Sequence, residues 1–282
     1  MEHRYMSLNT YLSLQPFWDI TQDQTSIRIL YDDAGQKIGE IFRFSTNQET
    51  LETIPGIGMA ALVLSCSPEL PVAFACGPLS NQRDIPLLGV HKGVYCRFFA
   101  GAFTRIFGVP SQELANMEIP LSDLIPSRDF LARFLDAEHY GQQCQMILDL
   151  CRAYTTVSNP SGSEQVAQYI VTEILSRKGD VRVKELSQQT GYSTRYLQTI
   201  CNRQIGLTPK QFAFNVRLQN LMKTFLYNPM INMEELACTT GYYDPSHISY
   251  ACKRGLNMSA AQLLHNPAIQ CRCSRTSLRI QN

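Results

Sequence analysis

Residues 181–209 read VRVKELSQQTGYSTRYLQTICNRQIGLTP, and they decide how the second half of the chain folds. A short helix is predicted from Val183 to Gln189, followed by Gly191, where the backbone can turn sharply. Ser193 is placed to cap a second helix that ends near Gly206. Two short helices joined by a glycine-containing turn are typical of a helix-turn-helix unit.

The same pattern occurs again in residues 232–260, NMEELACTTGYYDPSHISYACKRGLNMSA. Asn232 and Glu235 can cap the first helix of this unit, and Gly241 precedes the second. Between the units, residues 209–226 (PKQFAFNVRLQNLMKTFL) have the apolar spacing of one long helix. Such a helix is roughly 27 Å long at 1.5 Å per residue. Successive major-groove faces of DNA are about 34 Å apart, so this helix can hold two DNA-reading units near that spacing.

The second helix of each unit is predicted to present polar side chains to the edges of DNA bases. His247 is interpreted as a structural residue at the start of its helix. Lys253 and Arg254 are expected to contact phosphates rather than bases. The candidate DNA-binding residues are Thr194, Arg195, Gln198, Thr199 and Asn202 in the first unit and Pro245, Ser246, Ser249, Tyr250, Lys253 and Arg254 in the second.

The charge is divided unevenly along the chain. Residues 160–282 hold 14 Lys and Arg against 7 Asp and Glu, a net of +7, whereas residues 1–159 hold 11 against 17, a net of −6. The two values sum to the +1 of the whole chain. Only the C-terminal half therefore has the charge expected of a surface that meets a polyanion.

The N-terminal half is predicted to be mostly strands. SIRILYDD and KIGEIFRF flank a turn and predict a hairpin, and AALVLSC, VAFACG and GVYCRFFAG predict further strands. The strand spacing suggests a barrel or a sandwich, and we expect a β-barrel over residues 8–110. Helices are expected over 111–154, with Ser111 and Ser127 as N-caps and a break at Gly141. The apolar stripe from Phe130 to Leu150 is a candidate dimer interface.

Residues 155–163, TTVSNPSGS, are small and polar and predict a linker. A capping box at Ser161 and Glu164 opens the helix that follows. The expected organisation is a regulatory or dimerisation domain over 1–154, the linker, a tandem helix-turn-helix domain over 164–267 and a tail over 268–282. The fold class is α+β, and residues 160–282 are expected to fold alone.

The segment 165–265 resembles the DNA-binding domain of AraC/XylS-type bacterial transcription regulators. The matching residues are Leu186, Gly191 and Ser193, the turn 206–209, Arg217 and Leu218, the run 241–247, and Lys253 and Arg254. The resemblance implies binding to double-stranded promoter DNA through two adjacent major grooves, usually as an activator, with RNA polymerase as a partner.

Some residues depart from the family pattern. Tyr250 replaces an arginine, Cys252 a core aromatic residue, and Asn257 and Ala260 a glycine and a proline. Asn tolerates a left-handed turn, so the backbone is expected to be kept. Because Tyr250 replaces an arginine, base reading by the second unit is expected to be weaker, and the first unit is expected to dominate specificity.

The N-terminal half is similar to the cupin-like regulatory domains of some of these proteins. The similarity rests on residues 11–18, 74–78, 97–101 and 107–114. It implies a small-molecule effector, a homodimer, or both.

Other functions are less well supported by the sequence. Residues 56–61 match a dinucleotide-binding pattern, but Pro55 precedes them and a predicted strand follows, so we interpret them as a turn. The N-terminal half offers His3, His91 and His139, which predict no metal site, and the close cysteine pair Cys271 and Cys273 is interpreted as free thiols. No cofactor is expected.

The alternative is an enzymatic N-terminal domain, such as a DNA-repair methyltransferase, fused to a DNA-binding module. That enzyme needs an activated cysteine in electropositive surroundings, which an acidic half does not favour. No run is long and apolar enough to cross a bilayer, and the N-terminus lacks the features of a secretory signal. A non-enzymatic protein of the cytoplasm, associated with the nucleoid, is therefore expected.

Overall fold

The computed structural model describes residues 28–33, 35, 37–45, 50–54, 58–80, 83–86, 89–155, 161–228 and 230–264. The strands in these ranges are β1 (Arg28–Tyr31), β2 (Lys37–Ser45), β3 (Thr50–Ile54), β4 (Ala61–Ser65), β5 (Ala73–Cys76), β6 (Arg83–Pro86), β7 (Lys92–Phe98) and β8 (Glu118–Pro120). The helices are α1 (Ala102–Phe107), α2 (Ser111–Leu114), α3 (Arg128–Asp136), α4 (Tyr140–Tyr154), α5 (Gly162–Ser176), α6 (Val183–Thr190), α7 (Thr194–Ile205), α8 (Pro209–Tyr227), α9 (Met233–Thr240), α10 (Pro245–Leu256) and α11 (Ala260–Leu264). The 11–18 motif and the Cys271–Cys273 pair lie outside the described residues.

The strands form two antiparallel sheets. Six strands lie in the order β1-β2-β7-β4-β5-β8, and β3 pairs with β6. The predicted hairpin is confirmed: β1 pairs with β2 across a turn in which Gly35 has φ 74° and its N–H donates to the carbonyl of Asp32 at 2.9 Å. Strands β4, β5 and β7 coincide with the three predicted apolar runs. The predicted α+β class is confirmed, and the described part of the region predicted as a barrel is made of these two sheets.

The central strands of the six-stranded sheet, β2, β4, β5 and β7, are buried on both faces. Phe42, Val63 and Tyr95 belong to one apolar cluster, and the alternate residues Ile41 and Leu62 belong to another. The second cluster also contains apolar residues of α1, α3 and α4, so these helices cover that face of the sheet. Burial on both faces explains why these strands read as nearly continuous apolar runs.

The helices that cover the sheet differ from expectation in three respects. The break falls between Asp136 and Tyr140, and Gly141 lies in the first turn of α4. Ser111 is the first residue of α2 rather than its N-cap. The dimer interface predicted at the apolar stripe is wrong: Phe134 is 0% and Leu150 9% exposed, because the stripe packs on the chain's own sheet.

The C-terminal helices follow the sequence prediction closely. The capping box is present at the start of α5, where the Glu164 N–H donates to Ser161 Oγ at 3.3 Å and the Ser161 N–H to Glu164 Oε2 at 2.6 Å. The predicted long helix is α8, with Pro209 in its first turn. Two apolar clusters divide this part of the chain, one around α5–α7 and the start of α8, the other around the rest of α8 and α9–α11.

The N-terminal domain packs directly on the first of these clusters. Met59 and Phe99 of the N-terminal half belong to the same apolar core as Leu186 and Leu197. Thr104 Oγ1 also donates to the carbonyl of Gln204 at 3.2 Å. The expectation that residues 160–282 fold independently is therefore revised, because cutting at the linker would expose part of the first unit's core to water.

Among the described helices, none has the length and apolar character required to cross a membrane.

Candidate nucleic-acid interface

The first helix-turn-helix unit consists of α6, a turn and α7. Gly191 ends α6 in the left-handed conformation, with φ 74°. Ser193 then caps α7, because its Oγ accepts from the N–H of Tyr196 at 3.2 Å. Leu186 and Leu197 are both fully buried and join the two helices. The turn is held by side chains on either side of it, so the direction of α7 is defined locally.

The outer face of α7 carries the residues predicted to meet DNA. Thr194, Arg195, Gln198 and Thr199 are exposed, and Asn202 is half-buried. The spacing of Tyr196 with Leu197 and Ile200 in the sequence predicts that all three pack between the two helices, but Tyr196 is 38% exposed and does not lie there. Its ring lies 4.8 Å from that of Tyr192, at the N-terminal end of α7. The inner face of α7 is instead defined by Leu197, Ile200, Cys201 and Ile205.

The second unit repeats this construction with α9 and α10. Asn232 Oδ1 accepts from the N–H of Glu235 at 2.8 Å, and Gly241 ends α9 with φ 74°. Asp244 caps α10 by accepting from the N–H of His247 at 2.7 Å. His247 therefore lies in the first helical turn, as predicted, and its ring packs edge-on against Tyr242 at 5.2 Å.

Helices α7 and α10 can be superposed residue by residue on their caps. The N-caps are Ser193 and Asp244, and the C-caps are Gly206 and Asn257, so both intervals are the same. In this register Arg195 corresponds to Ser246, Gln198 to Ser249, Thr199 to Tyr250, Asn202 to Lys253, and Arg203 to Arg254. Before α10 the turn is one residue longer, since Gly241 precedes its cap by one residue more than Gly191 does.

The candidate residues of α10 also lie on its outer face. Ser246, Ser249, Tyr250, Lys253 and Arg254 are exposed, and Pro245 is half-buried at the first position of the helix. Asn257 adopts the left-handed conformation that was predicted for it, with φ 53°. Cys252 is fully buried, as expected of a residue that replaces a core aromatic.

Two exposed residues near these faces were missed by the sequence analysis. Arg203 is exposed on α7 and corresponds to Arg254. Tyr243 is 91% exposed in the longer turn before α10. Arg203 is identified by aligning α7 with α10 on their caps, whereas the sequence pattern of α7 alone did not indicate it. The exposure of Tyr243 follows from the extra residue in that turn.

Four cysteines of the N-terminal half do not have the properties of an activated nucleophile. Burial raises the pKa of the thiols of Cys66, Cys96 and Cys144, and it raises that of Cys151 to about 12. A thiol must ionise to act as a nucleophile, so this shift lowers its reactivity at neutral pH. These four thiols give no support to the repair-enzyme alternative.

Comparison with known proteins relates the C-terminal part of the chain to a described family. Residues 186–266 match the model of a family described as a helix-turn-helix domain. The transcriptional regulator MxiE of Shigella flexneri is 32% identical over 102 residues, which cover 36% of this chain and 47% of MxiE. MxiE of Shigella sonnei gives the same values. The chain thus spans about half the length of the curated relatives it matches.

Among solved structures, the chain aligns with ToxT of Vibrio cholerae at low similarity. An apo form of a ToxT variant aligns over 82% of this chain and 98% of ToxT, with 8% identity and a TM-score of 0.42. A wild-type ToxT bound to an unsaturated fatty acid aligns over 86% and 96%, with 9% identity and a TM-score of 0.41. The family match and the two capped helix pairs agree: residues 186–266 form a helix-turn-helix domain.

Proposed function

We propose that this protein is a sequence-specific transcription regulator that inserts α7 and α10 into adjacent major grooves of promoter DNA. The observation that carries this proposal is the matched register of the two helices. Each presents residues at equivalent positions on its outer face, and each is held by the same pair of cap positions. Two reading helices built on one frame are suited to two successive grooves of one duplex.

The length of α8 and the distribution of charge support the same proposal. At 1.5 Å per residue, the 19 residues of α8 extend roughly 28 Å. Recognition units that bind one face of DNA are about 34 Å apart. The net charge of +7 over residues 160–282 favours a polyanion at this part of the molecule.

We further propose that the protein acts as an activator in the cytoplasm, at the nucleoid, in contact with RNA polymerase. The family resemblance supports this part of the proposal. A small-molecule effector held by the N-terminal domain and a homodimer also stay predictions. If a homodimer forms, its interface lies outside the α3–α4 stripe, since that stripe is buried against the sheet.

Selection of bound fragments from random duplex DNA by the full chain, followed by footprinting, tests the proposal. We expect an enriched sequence with two protected blocks separated by about one helical turn of 10–10.5 base pairs. Recovery of fragments with no common sequence would contradict sequence-specific binding. A single protected block would contradict the use of both helices.

A further inference from the structure

The two helix-turn-helix units meet at one arginine near the middle of α8. Phe212 and Val216, on one side of this position, belong to the apolar core of the first unit. Leu218 and Leu221, on the other side, belong to the core of the second unit. Arg217 lies between the two cores and is about one-fifth exposed.

The side chain of Arg217 is bonded to both units at once. Its Nη2 donates to the carbonyl of Gly179 at 2.8 Å and to Asp180 Oδ1 at 3.2 Å, both in the loop between α5 and α6. Its Nη1 donates to the carbonyl of Gly241 at 3.3 Å, in the turn between α9 and α10. The guanidinium also lies 5.8 Å from the centre of the Tyr242 ring.

The loop and the turn lie close together around this arginine. A Cβ atom added at Gly179 would lie 2.4 Å from the carbonyl oxygen of Ala213 and 2.6 Å from the N of Arg217, so the loop rests directly on the backbone of α8. A Cβ added at Gly241 would lie 3.5 Å from Asp180. The loop between α5 and α6 thus lies against the turn between α9 and α10.

We propose that Arg217 is a positioning residue that fixes the orientation of α10 relative to α7. The inference rests on the proposed function, which needs both helices in grooves of one duplex. A single long helix resists bending, but it does not prevent the second unit from rotating about the helix axis. The planar guanidinium bonds two carbonyls that belong to different units and so opposes that rotation.

The consequence is selectivity for the spacing between the two halves of the DNA site. Two base pairs inserted between the halves rotate one relative to the other by about 70°, at 10–10.5 base pairs per turn. A rigid pair of reading helices cannot follow this rotation and loses the second contact. A pair released from Arg217 can follow it in part, so the insertion costs less affinity.

The test uses the full chain and compares three duplexes: the selected site, the same site with two inserted base pairs, and a site with one half replaced. The measured quantity is the affinity for the selected site divided by the affinity for the site with two inserted base pairs. We expect Arg217→Ala to lower this ratio at least fivefold, with little change on the duplex that keeps one half. The matched control is Arg177→Ala, which removes an arginine bonded to Glu185 at 2.9 Å within the first unit alone.

A ratio equal to that of the wild type in a folded Arg217→Ala protein would refute the positioning role. An equal loss of affinity on all three duplexes would refute it as well, because a general loss of stability or charge acts on every site alike. If Arg217→Ala does not fold, Arg217→Lys and Asp180→Ala decide, and wild-type ratios in both would overturn the inference. Wild-type protein that selects no sequence would instead refute the proposed function.

Discussion

Single residues give α7 and α10, the proposed DNA-reading helices, different chemistry at equivalent positions. At equivalent positions the first helix has Arg195 and Gln198, whereas the second has two serines. Arginine makes bidentate hydrogen bonds to guanine, and glutamine makes them to adenine, whereas a serine hydroxyl bonds to either base. The first unit is therefore expected to contribute most of the discrimination between bases.

Replacing Arg195 or Gln198 with alanine tests this expectation directly. Each change should weaken binding to the selected site by about 1–3 kcal/mol, because a base contact is lost, and should change binding to random DNA little. Titration of both duplexes by fluorescence anisotropy measures the difference. Gln168→Ala is the control, since Gln168 is an exposed glutamine on α5, outside the reading helices. Equal losses on both duplexes would reassign the residue to a phosphate contact.

Tyr250 allows the opposite experiment, a gain of affinity. It is 61% exposed, at a position where the AraC/XylS-type regulators that this segment resembles usually carry arginine. Tyr250→Arg is expected to raise the affinity for the selected site, because a guanidinium makes charge-assisted bonds that a phenol cannot. Tyr250→Phe serves as the comparison. Weaker binding by both variants would indicate that the tyrosine already packs well against the DNA backbone.

At the scale of elements, the caps decide where the reading helices begin and end. A serine caps the start of α7 and an aspartate caps the start of α10, and each helix ends at a residue in the left-handed backbone conformation. Glycine occupies the first of these left-handed ends, but Asn257 occupies the second. Asparagine enters this conformation at lower cost than other side chains do, though glycine enters it more easily still.

Substitutions at Asn257 are expected to change stability according to this cost. Asn257→Ala should lower the free energy of unfolding by roughly 1 kcal/mol, because alanine is strained in the left-handed conformation. Asn257→Gly should leave it unchanged or raise it slightly. Urea unfolding of the two variants and the wild type measures both effects. Loss of stability in the glycine variant, equal to that in the alanine variant, would show that the asparagine side chain matters more than the backbone.

At the scale of the whole molecule, the N-terminal domain holds the first reading unit. The C-terminal end of α7 packs against the segment around Pro78 and Ser111, and a Cβ at Gly206 would lie 2.9 Å from the Ser111 carbonyl oxygen. Among the described residues, the apolar core of the second unit includes no residue of the N-terminal half. A structural change in the N-terminal domain would therefore act directly on the first unit, and on the second unit only through the first.

Alanine substitutions at two glycines distinguish the cost of disturbing this contact between domains from the cost of backbone strain. Gly191 and Gly206 have φ 74° and 71°, but a Cβ at Gly191 would have no neighbour within 4 Å. Gly191→Ala should cost roughly 1–2 kcal/mol through backbone strain. Gly206→Ala should cost a further ~1–3 kcal/mol, because the added methyl group presses on the N-terminal domain. Urea unfolding of the full chain measures both, and equal costs would mean that the domains can separate freely.

Local signals in the sequence were enough for the helix-turn-helix units, the long helix, the hairpin and most of the strands of the large sheet. A cap, a turn glycine or an apolar period acts over a few neighbouring residues, so it can be read without knowing the fold. The short strands β3, β6 and β8 carried no such pattern, since each has three to five residues and two of them end in proline.

The tertiary structure alone decided which apolar faces meet. It buried the α3–α4 stripe against the chain's own sheet and placed Met59 and Phe99 in the core of the first reading unit. It also brought Arg217 to Gly179 and Gly241. These contacts join residues far apart in the chain, and an apolar side chain is equally well satisfied by many partners. Burial is non-directional, so the pattern predicts that a face is covered and only packing selects what covers it.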